Sequence, residues 1–152
     1  MPKGTEKGKA PMNSGKGRAM DFSTVKPFDP LPEKDEDTGK MIIYPARIFK
    51  ITTDKKGPKG AYDEVVFEIT GPDKYKRRQL FRNYSVNESA LPFYHELLKS
   101  ANPDAELDSD FIMTPEEWIG LEVGLSIENE SYEEQIRSRV KRVYPASKVT
   151  VK

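Results

Sequence analysis

From Met41 onward the apolar and polar positions of the chain alternate with a period of two. Ile42, Tyr44, Ala46 and Ile48 interleave with Ile43, Arg47, Phe49 and Ile51, which predicts a strand apolar on both faces near its middle. Pro45 has no N–H to give to a ladder, so an edge position or a bulge is expected there. Lys55-Lys56-Gly57-Pro58-Lys59-Gly60 reads as a turn, and a second strand follows from Tyr62 to Thr70. Val65, Phe67 and Ile69 face inward from it, with Tyr62, Glu64, Val66 and Glu68 outward. Gly71-Pro72-Asp73 turns the chain again. A third strand, Arg78 to Val86, sets Leu80, Arg82, Tyr84 and Val86 on one face and Gln79, Phe81, Asn83 and Ser85 on the other.

The period then becomes helical, with Leu91, Tyr94, Leu97, Leu98 and Ala101 on one stripe. Ser89 is the expected cap, because Pro92 is tolerated only in the first turn, and Asn102-Pro103 ends the helix. Thr114-Pro115-Glu116-Glu117 predicts a capped short turn that Gly120 stops. Alternation returns in Leu121, Val123, Leu125 and Ile127, which form the buried side of a fourth strand, with Glu122, Gly124, Ser126 and Glu128 on its wet side. After a loop at Asn129 to Gln135, a fifth strand runs from Ile136 to Pro145. Three strands, a helix and two strands is the element order of an OB-fold. The expected fold is mainly β: a five-stranded OB-fold-like barrel over residues 40–146, with its helix between strands three and four.

The ends differ from this domain. Residues 1–20 are rich in Gly, Lys, Pro and Ser, with Lys3, Lys7, Lys9, Lys16 and Arg18 against Glu6, and predict a flexible basic tail. Residues 21–39 carry Pro27, Pro30 and Pro32 and read as an irregular Pro-rich arm, packing through Phe22, Val25, Phe28 and Leu31. Residues 147–152 form a short C-terminal tail. At 152 residues and 36% hydrophobic, the chain has room for one domain plus a tail. With no cysteine it has neither disulfides nor thiolate metal ligands. Its apolar runs are too short to span a bilayer, and Met1 to Met20 lacks the apolar centre of a secretion signal. A cytoplasmic protein without membrane partners is expected.

Net charge is zero, yet the charges are segregated. Residues 103–134 hold eleven acids and no Lys or Arg, whereas residues 136–152 hold six Lys or Arg and no acid. Residues 47–82 carry ten basic and five acidic side chains. The plain structural reading is that opposite charges pair across neighbouring strands, at roughly 0.2 to 1 kcal/mol each.

Catalytic chemistry has little to stand on. His95 is the single histidine and falls on the predicted helix as a surface residue. Asp104, Glu106, Asp108 and Asp110 alternate as in a calcium loop, but Ser109 replaces the turn glycine and Pro115 replaces the closing Glu. Gly4-Thr5-Glu6-Lys7-Gly8-Lys9 is too short for a phosphate loop and lacks the following Ser or Thr. No enzyme activity, metal or cofactor is expected.

What remains is a combination of cations and aromatic rings on outward faces and in loops. Single-stranded nucleic acid needs both, since cations follow phosphates and rings stack bases at roughly 1 to 3 kcal/mol each. The candidate contacts are Arg47, Lys55, Lys56, Lys59, Lys76, Arg77, Arg78, Arg82, Arg137, Arg139 and Lys141, with the last three on one face of the fifth strand. Phe49, Tyr62, Phe81, Tyr84 and Tyr132 are candidate platforms, although the apolar neighbours of Phe49 and Tyr84 favour a core position for both. If these residues form one groove, Arg137, Arg139 and Lys141 should adjoin the basic cluster of the third strand.

The series Tyr44-x-Ala46-x-Ile48, the Lys-Lys-Gly turn, Val65 to Ile69, Gly71, Arg78-x-Leu80-Phe81, a capped helix, Trp118-x-Gly120-x-x-Val123 and Arg139-Val140-Lys141 to Tyr144-Pro145 carries a resemblance. Over about residues 40–146 the chain resembles the phage and prophage single-stranded DNA-binding proteins. Within them it is most similar to a family first catalogued as a domain of unknown function beside phage recombination genes. The resemblance implies an OB-fold without cofactor that coats single-stranded DNA in phage replication or recombination. The implied partners are single-stranded DNA, replication or recombination proteins, and further copies of the chain in a homo-oligomer. One departure is the end of the chain, Ser147-Lys148-Val149-Thr150-Val151-Lys152, where many such proteins carry an acidic tail. The acid here is internal, which makes residues 103–117 a candidate docking segment. The competing expectation is a protein-interaction module of a phage replisome or virion that does not touch DNA.

Overall fold

A computed structural model describes residues 17, 19, 30–133 and 135–152. The expected basic tail, apart from Gly17 and Ala19, and residues 21–29 of the arm lie outside the described residues. The described chain is mainly β, with strands β1 (Tyr44–Gly57), β2 (Gly60–Ile69) and β3 (Gln79–Ser85), helix α1 (Leu91–Ala101), and strands β4 (Glu122–Tyr132) and β5 (Gln135–Pro145). The strands form one antiparallel sheet in the order β3-β2-β1-β4-β5, and α1 packs against β5, β3 and β4.

β1 is the centre of that order. Pro45 therefore lies in a strand paired on both sides, and the edge or bulge expected from it is not found. Its carbonyl accepts the Thr70 N–H at 2.9 Å, so its N side points to β2 as well, and the β1–β2 ladder begins only at Ala46 and Ile69. The missing donor falls just past the end of a ladder, where it breaks nothing. Toward β4, β1 pairs over Tyr44–Arg47 only, and the Ile48 carbonyl and N–H then bond Gly120 and Leu121. Beyond that point β1 continues with β2 alone, through register shifts at Ile48/Lys50 and Thr52/Lys55. Asp54 sits at the second shift with φ +59°, the left-handed conformation that a bulge requires.

Both hairpins are tighter than expected. Lys55 and Lys56 extend β1 opposite Tyr62 and Ala61, which leaves Pro58 and Lys59 as the turn. Ladder pairing between β4 and β5 likewise continues to Tyr132 and Gln135, where a longer loop was expected, and Glu133 makes the turn with φ +45°.

The core is built as the alternation predicts on β2, where Val65, Phe67 and Ile69 are fully buried, and on the inner side of β4, with Val123, Leu125 and Ile127. Tyr94, Leu97 and Leu98 bring α1 onto it. The α1 cap differs: Ala90 is the N-cap residue, and the Asn87 side-chain oxygen accepts both the Ala90 N–H and the Ser89 hydroxyl. The wet side of β4 differs too, since Gly124 and Ser126 are buried. Ile43 and Val149 lie over Gly124, and Thr150 exchanges hydrogen bonds with Ile43 through its backbone N–H and its hydroxyl.

Contacts extend beyond residues 40–146 on the N-terminal side as well. Leu31 is completely buried, its N–H donates to the Ser138 hydroxyl at 2.8 Å, and its carbonyl accepts from the Asn129 amide at 2.8 Å. The Tyr44 hydroxyl donates to the Pro32 carbonyl at 2.6 Å, and burial pushes that phenol well above its usual pKa.

A side chain at position 124 would place its Cβ 2.6 Å from Cγ2 of Ile43, a β-branched residue with little rotamer freedom. Gly124→Ala is expected to destabilise the fold by about 1 to 3 kcal/mol, read as a lower urea midpoint with an unchanged m-value.

Candidate nucleic-acid interface

The outer face of β1, β2 and β3 carries cations beside acids. Lys50, Val66 and Phe81 lie in one row across the three strands, Thr52, Glu64 and Asn83 in the next, and Arg47, Glu68 and Gln79 in a third. Arg47 binds Glu68 at 2.8 Å and also lies 5.6 Å from the Phe49 ring centre, while Lys55 reaches Glu64 at 3.6 Å. The acids of the middle strand thus neutralise the cations of its neighbour, as the cross-strand reading of the sequence expects. On the other hairpin, Arg139 binds Glu130 at 2.9 Å. Such half-exposed pairs contribute about 0 to 1 kcal/mol each, so they cost the surface its positive field without adding much stability.

Two clefts beside β3 gather further cations. The turn before it, with the end of the arm, encloses a cleft of about 720 Å³ lined by Lys74, Lys76, Arg77 and Arg78 together with Tyr75, Gln79, Pro30 and Pro32. A second cleft of about 500 Å³ lies between β3 and β5, lined by Phe81, Arg82 and Asn83 from one strand and Arg137, Ser138 and Arg139 from the other. Both include Gln79, so they meet there. Four cations line the first cleft and three the second, against a single carboxylate, Glu130. Of the third-strand cluster, Arg82 shares the second cleft with Arg137 and Arg139, whereas Lys76, Arg77 and Arg78 line the first.

Arg82 joins the two edges. Its Nη1 donates to the Lys141 carbonyl at 2.8 Å, and its guanidinium lies 5.2 Å from the Tyr84 ring centre and 5.4 Å from that of Phe93. Lys141 follows Arg137 and Arg139 in alternation and is exposed like them, next to the buried Val140. Ser126 pairs with Arg142 and Ile127 with Val140, so Lys141 is the extra residue of a bulge and has no partner across the ladder. Val140 and Val143 are accordingly both buried three positions apart, a spacing that marks the bulge in the sequence.

Phe81 is 64% exposed at the centre of this region and is available for stacking. Tyr84 is not. At 2% exposure its ring is packed 5.1 Å from Tyr94, and burial pushes its phenol well above the usual range, with the Arg82 charge opposing the shift. Phe49 is 40% exposed, contrary to the core position that its neighbours favour, because it stands at the first register shift of β1. The ring of Tyr62 is half-buried and lies against Gly57 of its own hairpin. The side chain of Tyr132 lies outside the described residues. Lys55, Lys56 and Lys59 occupy the distal end of the β1–β2 hairpin, apart from the two clefts. Lys74, Tyr75 and Gln79 complete the cleft without having been singled out, although Lys74-Tyr75-Lys76-Arg77-Arg78 is a continuous basic run readable in the sequence.

Arg142 serves the fold. Its guanidinium engages both Glu96 oxygens, and Glu96 also accepts the Val143 N–H at 3.1 Å, which ties α1 to β5. The Arg142 bond is the main cause holding the Glu96 carboxyl below its ordinary range; burial opposes it and the Val143 bond adds to it. Among the described residues no group of His, Asp and Glu would hold a metal ion, and no helix is long and apolar enough to cross a membrane. No model of a known protein family matches the chain, and a search of curated proteins finds no match.

Because the folded pKa of Glu96 lies below its unfolded value, its contribution is fully present above the ordinary carboxylate range and is lost as pH falls through the folded pKa. Urea unfolding of wild type and Glu96→Gln is expected to show a stability gap at neutral pH that closes on acidification below the usual Glu range. A gap independent of pH would assign the loss to packing.

Proposed function

We propose that the chain is a non-enzymatic single-stranded DNA-binding protein that holds the strand along β3, between the turn at residues 74–78 and the β5 edge. The observation that carries this reading is the pair of clefts meeting at Gln79, whose lining holds seven cations, one carboxylate and an exposed phenylalanine. Phosphates fit the cations and a base fits the Phe81 face, which is the chemistry of sequence-tolerant single-strand binding.

The finer architecture proposed is an OB-fold-like barrel. Its support is β1 pairing with both β2 and β4, the helix between β3 and β4, and the approach of β3 to β5 through Arg82 and Lys141. In OB-folds the face of strands two and three binds oligonucleotides. Coating of single strands in phage replication or recombination, in a host cytoplasm and in company with replication or recombination proteins and further copies of the chain, extends the same proposal through the family resemblance.

Arg77 adds an independent support. It holds φ +75°, a conformation that costs a residue with a Cβ about 1 to 2 kcal/mol and costs glycine nothing. A strained arginine in a basic cleft is the expected result when the charge matters more than the turn.

A second reading has its own observation. The ion pairs Arg47–Glu68 and Lys55–Glu64 leave the outer face of β1 and β2 mixed in charge, and Arg139–Glu130 does the same within the second cleft, as in a protein-interaction module.

An electrophoretic shift with labelled oligo-dT separates the two, and absence of retardation at low salt and micromolar protein would eliminate the DNA reading. Replacing Lys76 and Arg77 together by Ala should weaken binding across sequences and lower the salt slope by about 2. Phe81→Ala should cost about 1 to 3 kcal/mol of binding with the fold intact, since the ring is exposed. Arg77→Gly should leave stability unchanged or raise it by up to about 1 kcal/mol while weakening DNA binding, a division that a purely structural arginine would not give.

A further inference from the structure

At the far end of β3 from the basic turn, a cleft of about 360 Å³ opens between α1 and the connector that follows it. Val86, Leu91, Leu98, Leu107, Phe111 and Met113 supply its apolar lining. Val86 and Leu91 are each 45% exposed, and Ile112 beside Phe111 is 79% exposed, so the apolar surface continues out of the cleft. None of the residues lining it lines the basic clefts.

The connector is acidic. Asp108 lines the cleft, and Asp104, Glu106, Asp110, Glu116 and Glu117 lie near it in the chain; all six are exposed, and among the described residues none is in an ion pair. The connector is also held in shape. Lys99 spends its ammonium on the Pro103 and Ala105 carbonyls, and the Asp108 side chain accepts the Asp110 N–H. Exposed carboxylates without a cation partner among the described residues, on a fixed segment beside an apolar cleft, are complementary to one ligand chemistry: bulky apolar side chains flanked by positive charge.

We propose that this cleft docks a peptide segment of a partner protein in which a Leu or Phe anchor is flanked by Lys or Arg. The anchor fills the space between Leu91, Leu98 and Phe111, and the flanking cations face the connector acids. An apolar anchor in a pocket with charged surroundings is the usual division between affinity and orientation at such sites. The proposal does not depend on the DNA reading, because the two surfaces share no residue.

The test uses the full chain and a short fluorescein-labelled peptide with Leu and Phe flanked by Lys, beside a matched peptide with Glu for every Lys. Anisotropy should rise saturably with the Lys peptide, fall with salt, and stay flat with the Glu peptide. Leu91→Ser removes an exposed apolar wall, and Asp108→Asn keeps the acceptor for Asp110 while removing the charge. Each should weaken the Lys peptide by about tenfold, roughly 1.4 kcal/mol, with circular dichroism and oligo-dT retardation unchanged. Equal binding of both peptides, or full binding by both variants, would overturn the proposal. So would loss of peptide binding in the Lys76 and Arg77 double variant alone, which would place the peptide on the basic track.

Discussion

β1 pairs with both β2 and β4, and the rest of the molecule follows from where it stops doing so. Four of its residues pair with β4, its next residue closes onto the Gly120-Leu121 turn, and from there it accompanies β2 alone. A strand shared in this way must bend, and two register shifts with a left-handed Asp54 supply the bend. β3 and β5, at opposite ends of the sheet order, come within reach of one arginine, and the second cleft lies between them. α1 closes one end of it, fixed by Glu96 and Arg142.

Charge is distributed by the same geometry. At three places on paired strands an acid of one strand meets a base of its neighbour: Arg47 with Glu68, Lys55 with Glu64 and Arg139 with Glu130. Further cations gather at the turn before β3 and across the second cleft, where Arg139 keeps its bond to Glu130. Zero net charge is compatible with such local clusters, because many of the acids lie elsewhere in the chain.

Much of the fold was legible, and the failures share a cause. The element order, the inward faces of β2 and β4 and the helical stripe depend on residues a few positions apart, which periodicity reads directly. Pro45, Gly124 and Ser126 were misread because their surroundings are set by segments distant in sequence: the end of β2 for the first, and Ile43 with the 145–150 segment for Gly124. The site was half legible. The basic run at 74–78 and the alternating arginines of β5 are visible in the sequence, and their convergence on Gln79 is not, since only the fold brings them together. Tyr84 takes the core position that its neighbours favour and Phe49 does not, because alternation assigns a face to a residue without showing what covers that face and a register shift interrupts the strand at Phe49.

Leu31 lies outside every boundary that composition would draw, in a segment of prolines and charges, yet it is buried as completely as Phe67 at the centre of the sheet. Its backbone is held by Asn129 and Ser138, about a hundred positions later in the chain. The cooperative unit therefore starts before the first strand, and a fragment cut where the alternating pattern begins would lack one of its own core side chains. The same anchor places Pro30 and Pro32 on the wall of the basic cleft, so the segment before β1 shapes that cleft as well as the core.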